Sequence, residues 1–157
     1  MGSLVVTRVV PATPQALFDT IIEPASWGHW FSIHREFIHE PPARLSEGST
    51  LRSKVVILGM DNEFEWTVEV LDAPHRIVLQ GSGSSGFRSE FTYWLQPCDT
   101  GTRLTIGGVF TSPYITTALS RTLERHGQLE LVRTLEQLAA LVGPERVQCG
   151  ESRSYEA

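Results

Sequence analysis

At 157 residues, 41% of them hydrophobic, the chain has enough apolar material for one globular domain with its own core and too little length for two. Thirteen basic against eighteen acidic residues give a formal charge of −5, and no stretch clusters Lys and Arg, which excludes the electropositive footprint of a nucleic-acid binder. No run of about 18 apolar residues is present to span a bilayer, and MGSLVVTRVVPATP lacks the basic flank and apolar core of a signal peptide.

A cytoplasmic protein without membrane insertion is therefore expected. The two cysteines, Cys98 and Cys149, stand apart and form no CxxC or Cys/His spacing, so neither a disulfide framework nor a metal site is expected.

In chain order, Ser3 to Val10 carries Leu4, Val5, Val6, Val9 and Val10 and reads as a strand ended by Pro11. Thr13 then caps a short helix with Pro14 at its first position, and Ala16, Leu17, Phe18, Ile21 and Ile22 give it an apolar face. Pro24 ends that helix and opens a second short one. The segment Trp27 to His34 concentrates aromatic and imidazole rings that need a place to bury. Six strands in a meander follow, near Arg35 to His39, Thr50 to Leu58, Glu63 to Leu71, Arg76 to Ser82, Phe87 to Gln96 and Arg103 to Thr111. Gly, Asp or Pro stands at the joins, as in Glu47-Gly48, Gly59-Met60-Asp61-Asn62 and Asp72-Ala73-Pro74. The Gly- and Ser-rich stretch 81–86 lies between two strands and opens no helix, so it reads as a hairpin tip rather than a phosphate cradle.

From Ser112 to Gly143 the period changes. Ile115, Leu119, Leu123, Gly127, Leu131, Leu135, Leu138 and Val142 form one slanted helical stripe, with Gly143 and Pro144 as the stop signal. Arg121, Arg125, His126 and Arg133 read as its wet side. A helix this long must lay its stripe on the sheet. Residues 144–157 have few apolar positions and no period, and read as a disordered tail after a domain spanning 1–143.

Alternation assigns the faces. Phe64, Trp66, Val68 and Val70 face the helix, with Glu63, Glu65 and Glu69 opposite, where Arg76, Arg88 or Arg103 could pair with them. By the same rule Phe87, Ser89, Phe91, Tyr93 and Leu95 point inward, as do Leu104, Ile106, Gly108 and Phe110, and Leu51, Ser53, Val55 and Ile57. Trp94 points outward and is a candidate interface residue.

The order of these elements, with VVPATPQALFDTIIEPASWGHW, the Glu47-Gly48-Ser49 turn, Trp66-Thr67-Val68 before Pro74, and TYWLQPCDTGTRLT, resembles the START-like superfamily of polyketide cyclase/dehydrase-like and Bet v 1-like (SRPBCC) proteins. The resemblance runs from about Leu4 to Val142. It implies an α+β helix-grip fold: a curved antiparallel seven-stranded sheet wrapped around a long C-terminal helix, with two short helices after the first strand and a cavity between sheet and helix. Trp30-Phe31-Ser32-Ile33-His34, and Gly59-Met60-Asp61-Asn62 followed by Trp66-Thr67-Val68, are similar to a mycobacterial subgroup that includes a protein associated with the toxin half of a toxin–antitoxin pair.

A cavity of that kind would be lined by Trp27, Trp30, Phe31, Ser53, Val55, Trp66, Ser89, Phe91, Tyr93, Ile106, Gly108, Phe110, Leu119, Leu123 and Gly127, mostly apolar with a few hydroxyls. Gly108 and Gly127 each remove a side chain from an inward position, which serves either a close approach of helix to sheet or open space for a ligand. His34 is the candidate acid–base residue and Tyr93 the candidate partner for a carbonyl oxygen; the alternative for each is a structural role. Two functions stay open. One is cofactor-independent cyclisation or dehydration of a hydrophobic polyketide- or lipid-like molecule. The other is binding alone, as a carrier or sensor or as a toxin-like module with a protein partner or a second copy of the chain.

Overall fold

The computed structural model describes residues 2–83, 86–113 and 116–142. Strand β1 (Gly2–Val10) leads through α1 (Pro14–Ile21), a 3₁₀ turn (Pro24–Ser26) and α2 (Trp27–Trp30) into β2 (His34–Phe37), β3 (Thr50–Ile57), β4 (Met60–Asp72), β5 (Arg76–Ser82), β6 (Arg88–Cys98), β7 (Gly101–Thr111) and the long α3 (Thr117–Val142). The strands form one seven-stranded sheet in the order β1-β7-β6-β5-β4-β3-β2. Every neighbouring pair is antiparallel. Strands β2 to β7 follow one another as a meander, with short connections from β3 onward and a longer one, residues 38–49, between β2 and β3, and β1 joins the far edge beside β7. The sheet curls into a half-barrel around α3, which is the α+β helix-grip fold expected from the sequence. Among the described residues no helix is long and apolar enough to cross a membrane.

Local chemistry accounts for the elements. Thr13 Oγ1 accepts the Ala16 N–H at 3.1 Å, and Pro14 sits where the first turn needs no donor. The expected face assignment holds. Phe64, Trp66 and Val68 are buried and Glu63, Glu65 and Glu69 are exposed, while Leu51, Ser53, Val55, Leu104, Ile106 and Phe110 are all buried. Trp94 is outward, 40% exposed, with its ring over Gly107.

Four details differ from the sequence reading. The β3–β4 connection is a two-residue turn at Leu58 and Gly59, with φ of 52° and 77°, so Met60, Asp61 and Asn62 belong to the strand. Glu63 meets Arg52 of β3 at 3.8 Å rather than Arg76, Arg88 or Arg103, because β3 is its ladder neighbour. Helix α3 begins at Thr117, and its stripe is buried only from Leu131 onward, through Leu135, Leu138 and Val142. A step of four residues on a 3.6-residue turn drifts a stripe by about 40°. Leu119, four such steps before Leu135, has therefore rotated off the sheet and is 39% exposed. His126 has come the other way: expected on the wet side, it is half-buried and reaches the Leu58 N–H at 3.4 Å. Ile115, Gly143 and the segment 144–157 lie outside the described residues.

The N-terminal half of α3 rests on β1, which is an edge strand. Two outward-pointing backbone groups of that edge are satisfied by the helix: Ser3 N–H donates to Glu124 Oε2 at 3.1 Å, and Gln128 Nε2 donates to the Val5 carbonyl at 3.4 Å. Leu4 fills the gap between them. A Cβ on Gly127 would stand 2.8 Å from Leu4 Cδ2, and one on Gly108 would stand 3.3 Å from Leu4 Cδ1. The room the two glycines leave is met here by side chains, Leu4 at both and the Phe91 ring 3.1 Å from the Gly108 position, rather than by a close approach of backbone. Gly127→Leu is expected to destabilise the protein by about 1–3 kcal/mol through overpacking. In a Leu4→Ala background the same substitution should cost at least about 1 kcal/mol less, since the two side chains compete for one space; thermal melts of the four proteins check this, and additive effects would refute it.

Candidate functional site

Beside Leu4, between the concave face of the sheet and α3, lies a cavity of about 90 Å³. The sheet contributes Ile57, Phe64, Trp66, Phe87, Ser89, Phe91, Gly108 and Phe110 to its wall, the α2–β2 connection contributes Phe31, Ser32 and Ile33, and α3 contributes Leu123, His126, Gly127, Glu130, Leu131 and Thr134. The wall is aromatic because alternate residues of β4 and β6 point to the same face and several are rings. Phe31 meets Phe91 edge-on at 6.1 Å, and Phe87 stacks on Phe110 at 6.2 Å.

Of the residues the sequence placed here, Phe31, Trp66, Ser89, Phe91, Gly108, Phe110, Leu123 and Gly127 are on the wall. Trp27, Trp30, Val55, Tyr93 and Ile106 are buried in the core and do not line the cavity, Trp27 and Trp30 packing behind Phe31 of its wall, and Leu119 is at the surface. The indoles there are tied down: Trp27 Nε1 donates to the Ile21 carbonyl at 2.9 Å and Trp30 Nε1 to Ser26 Oγ at 2.8 Å. Ser53 is buried as the acceptor for Trp66 Nε1 at 3.0 Å, so its hydroxyl is committed to the protein.

His34 stands behind the wall, against Phe37 at 4.5 Å and edge-on to Trp27 at 5.9 Å. Burial lowers its pKa below the ordinary 6.5, with Glu36 opposing that shift, and its buried Nδ1 has no hydrogen-bond partner. Tyr93 packs edge-on against Trp30 at 6.3 Å, and burial pushes its phenol well above the ordinary value, so the hydroxyl stays protonated.

Apart from Ser89, the polar groups that reach the cavity were missed in the sequence. Ser32 Oγ donates to Glu130 Oε1 at 2.7 Å and accepts from Thr134 Oγ1 at 3.1 Å. Arg133 and His126 flank the other carboxylate oxygen at 3.5 and 3.7 Å. His126 Nε2 also accepts the Leu58 N–H at 3.4 Å. The spacing of His126, Glu130 and Thr134 at i, i+4 and i+8 is the one signal that could have revealed them, since it places three polar groups on one helical face. Their partner Ser32, 98 residues away from Glu130, gives none.

The sequence profile of the polyketide cyclase/dehydrase and lipid transport proteins matches residues 1–143. The chain belongs to this family. Among its relatives, the uncharacterised protein Rv1546 of Mycobacterium tuberculosis is 31% identical over 147 residues, covering 91% of this chain and 100% of that protein. Rv0910 of the same organism, named a toxin, is 25% identical over 92 residues, covering 59% of this chain and 64% of that protein. The fold is shared by TTHA0849 of Thermus thermophilus, with a TM-score of 0.73 at 21% identity over 96% of this chain and 99% of that one.

Two substitutions probe the groups behind the wall. Because the folded-state pKa of His34 is lowered, the native protein takes up this proton less readily than the unfolded chain; stability is fully present above about pH 6.5 and is lost as pH falls toward the lowered value. His34→Phe should therefore flatten the fall of melting temperature between pH 7 and 5, and an unchanged slope would show that His34 does not titrate there. Ser53→Ala leaves the Trp66 indole N–H buried without an acceptor and should cost about 1–3 kcal/mol in a denaturant titration.

Proposed function

We propose that the protein binds a hydrophobic small molecule, polyketide- or lipid-like, in the cavity between the sheet and α3. The observation that carries this reading is the cavity itself: an apolar, largely aromatic wall formed where family membership leads one to look for a ligand site. At about 90 Å³ it is smaller than the roughly 300 Å³ at which drug-sized sites begin. A ligand therefore enters with its narrow end, or α3 yields to admit more of it, and the half-buried N-terminal part of the helix is the element able to do so. No cofactor is called for by this reading.

Binding is favoured over turnover. An acid–base step on a bound molecule needs a titratable group in contact with it. His34 is behind Trp27, and the rim groups His126 and Glu130 are engaged by Leu58, Ser32 and Arg133. A carrier or sensor needs only shape. The reading as a toxin-like module has its own support in the likeness to Rv0910 and in an apolar patch on the convex face, where Val5 is 57% exposed beside Trp94. It predicts that Trp94→Arg abolishes a protein complex while leaving small-molecule binding intact.

The test of the main reading is titration with an apolar fluorescent dye and mass spectrometry of whatever molecule accompanies the purified protein. Leu123→Trp, which fills the cavity from the half-buried helix, should weaken dye binding by about tenfold or more while leaving the fold intact, the loss expected when a shape-dependent site is occluded. Dye binding that survives the substitution unchanged would place the site elsewhere.

A further inference from the structure

We infer that the cavity takes a planar, unsaturated molecule bearing a neutral oxygen, a phenol or a ketone, and that Ser89 holds that oxygen. This rests on the small-molecule reading above and names the ligand's chemistry.

Ser89 is 8% exposed, lines the cavity, and its Oγ has no hydrogen-bond partner among the described residues. Buried hydroxyls are normally satisfied, and this chain obeys the rule elsewhere. Ser26 takes the Trp30 indole, Ser53 the Trp66 indole, and Thr102 donates to the Ala12 carbonyl at 2.7 Å. Ser32 and Thr134 satisfy each other and Glu130. Ser89 is thus the inward hydroxyl left for a guest. Its neighbours across the ladder, Gly81 and Phe110, bring no side-chain donor or acceptor to it. Arg88 and Glu90, adjacent in sequence, point to the opposite face by the alternation of the strand.

The same surroundings select the guest. A carboxylate or ammonium at Ser89 would be desolvated among Phe64, Phe87, Phe91 and Phe110, while the one carboxylate on the wall, Glu130, is already engaged by Ser32 and Arg133; a phenol or ketone loses little and finds a group able both to donate and to accept. Rings that meet edge-on and stacked, such as Phe31 with Phe91 and Phe87 with Phe110, favour a flat ring between them over a branched aliphatic body. The volume of about 90 Å³ lies below the roughly 150 Å³ in which benzene binds. A single ring is therefore the most the site takes, and it enters as the half-buried part of α3 yields, with its oxygen at Ser89 and its remaining atoms toward Leu123 and His126.

Phenol and toluene, equal in shape and differing by one hydroxyl, test this by calorimetric titration of the wild type and Ser89→Ala. The ratio of phenol to toluene affinity should fall about three- to tenfold in the variant, the worth of one hydrogen bond. Toluene should bind as well or better, and the melting temperature should hold or rise because an unpartnered hydroxyl has gone. Should Ser89→Ala fail to fold, Ser89→Cys, near-isosteric but a weak hydrogen-bonding group, reads the same ratio. If both molecules bind and the ratio is unchanged, the assignment of Ser89 is overturned while the small-molecule reading stands. If neither binds the wild type up to its solubility, the cavity admits no ring and both fail together.

Discussion

How closely α3 can approach the sheet is set by one leucine. Leu4 projects from the edge strand into the space that Gly108 on one side and Gly127 on the other leave without side chains, and the helix comes to rest on it. The cavity lies beside that contact, and on its other side the Glu124 and Gln128 side chains hold the Ser3 and Val5 backbone of β1. A larger residue at either glycine would lift α3; a smaller one at position 4 would let it settle and close the space. The cavity exists because this spacer is neither larger nor smaller.

At the other end of the helix the constraint is different in kind. Trp27, Trp30, Phe31, Trp66 and Phe91 form a continuous run of edge-on and tilted rings, and each of the three indoles donates to a fixed acceptor. Such a cluster is stiff, because the rings hold one another by faces and edges and the three indoles are held by their N–H groups as well. The C-terminal half of α3, from Leu131 onward, is buried. The N-terminal half is held by a few polar contacts and one leucine. A molecule gripped firmly at one end and loosely at the other is a reasonable container for a hydrophobic guest.

Period-two alternation made the sheet legible in the sequence. Phe64 to Val68 and Ser89 to Leu95 assign their faces without ambiguity, and Thr13-Pro14 announces a helix start that the Ala16 N–H confirms. The rim of the site was not legible, for a physical reason. Ser32, Leu58, His126 and Glu130 meet only because the chain folds, and a polar residue with a distant partner reads in sequence like any solvated one. The burial of α3 was half legible, since four-residue spacing marks an apolar stripe but not where along its drift the stripe leaves the sheet. Ser53 and Ser89 show the limit most plainly: same residue, same inward face, yet one accepts from an indole and the other from nothing among the described residues.

The place of β1 has a consequence for how the chain becomes this structure. Strands β2 to β6 can pair with neighbours as they emerge, each hairpin closing a short loop. Strand β1 cannot, for its ladder partner is β7, and the hydroxyls of Thr7 and Thr105 that meet at 3.1 Å are 98 residues apart. Its other neighbour, α3, lies later still. During synthesis the first strand must wait, unpaired and rich in valine, until most of the domain has been made. Sheet closure is then a late, long-range step, of the sort that slows folding and exposes an apolar edge while it is pending.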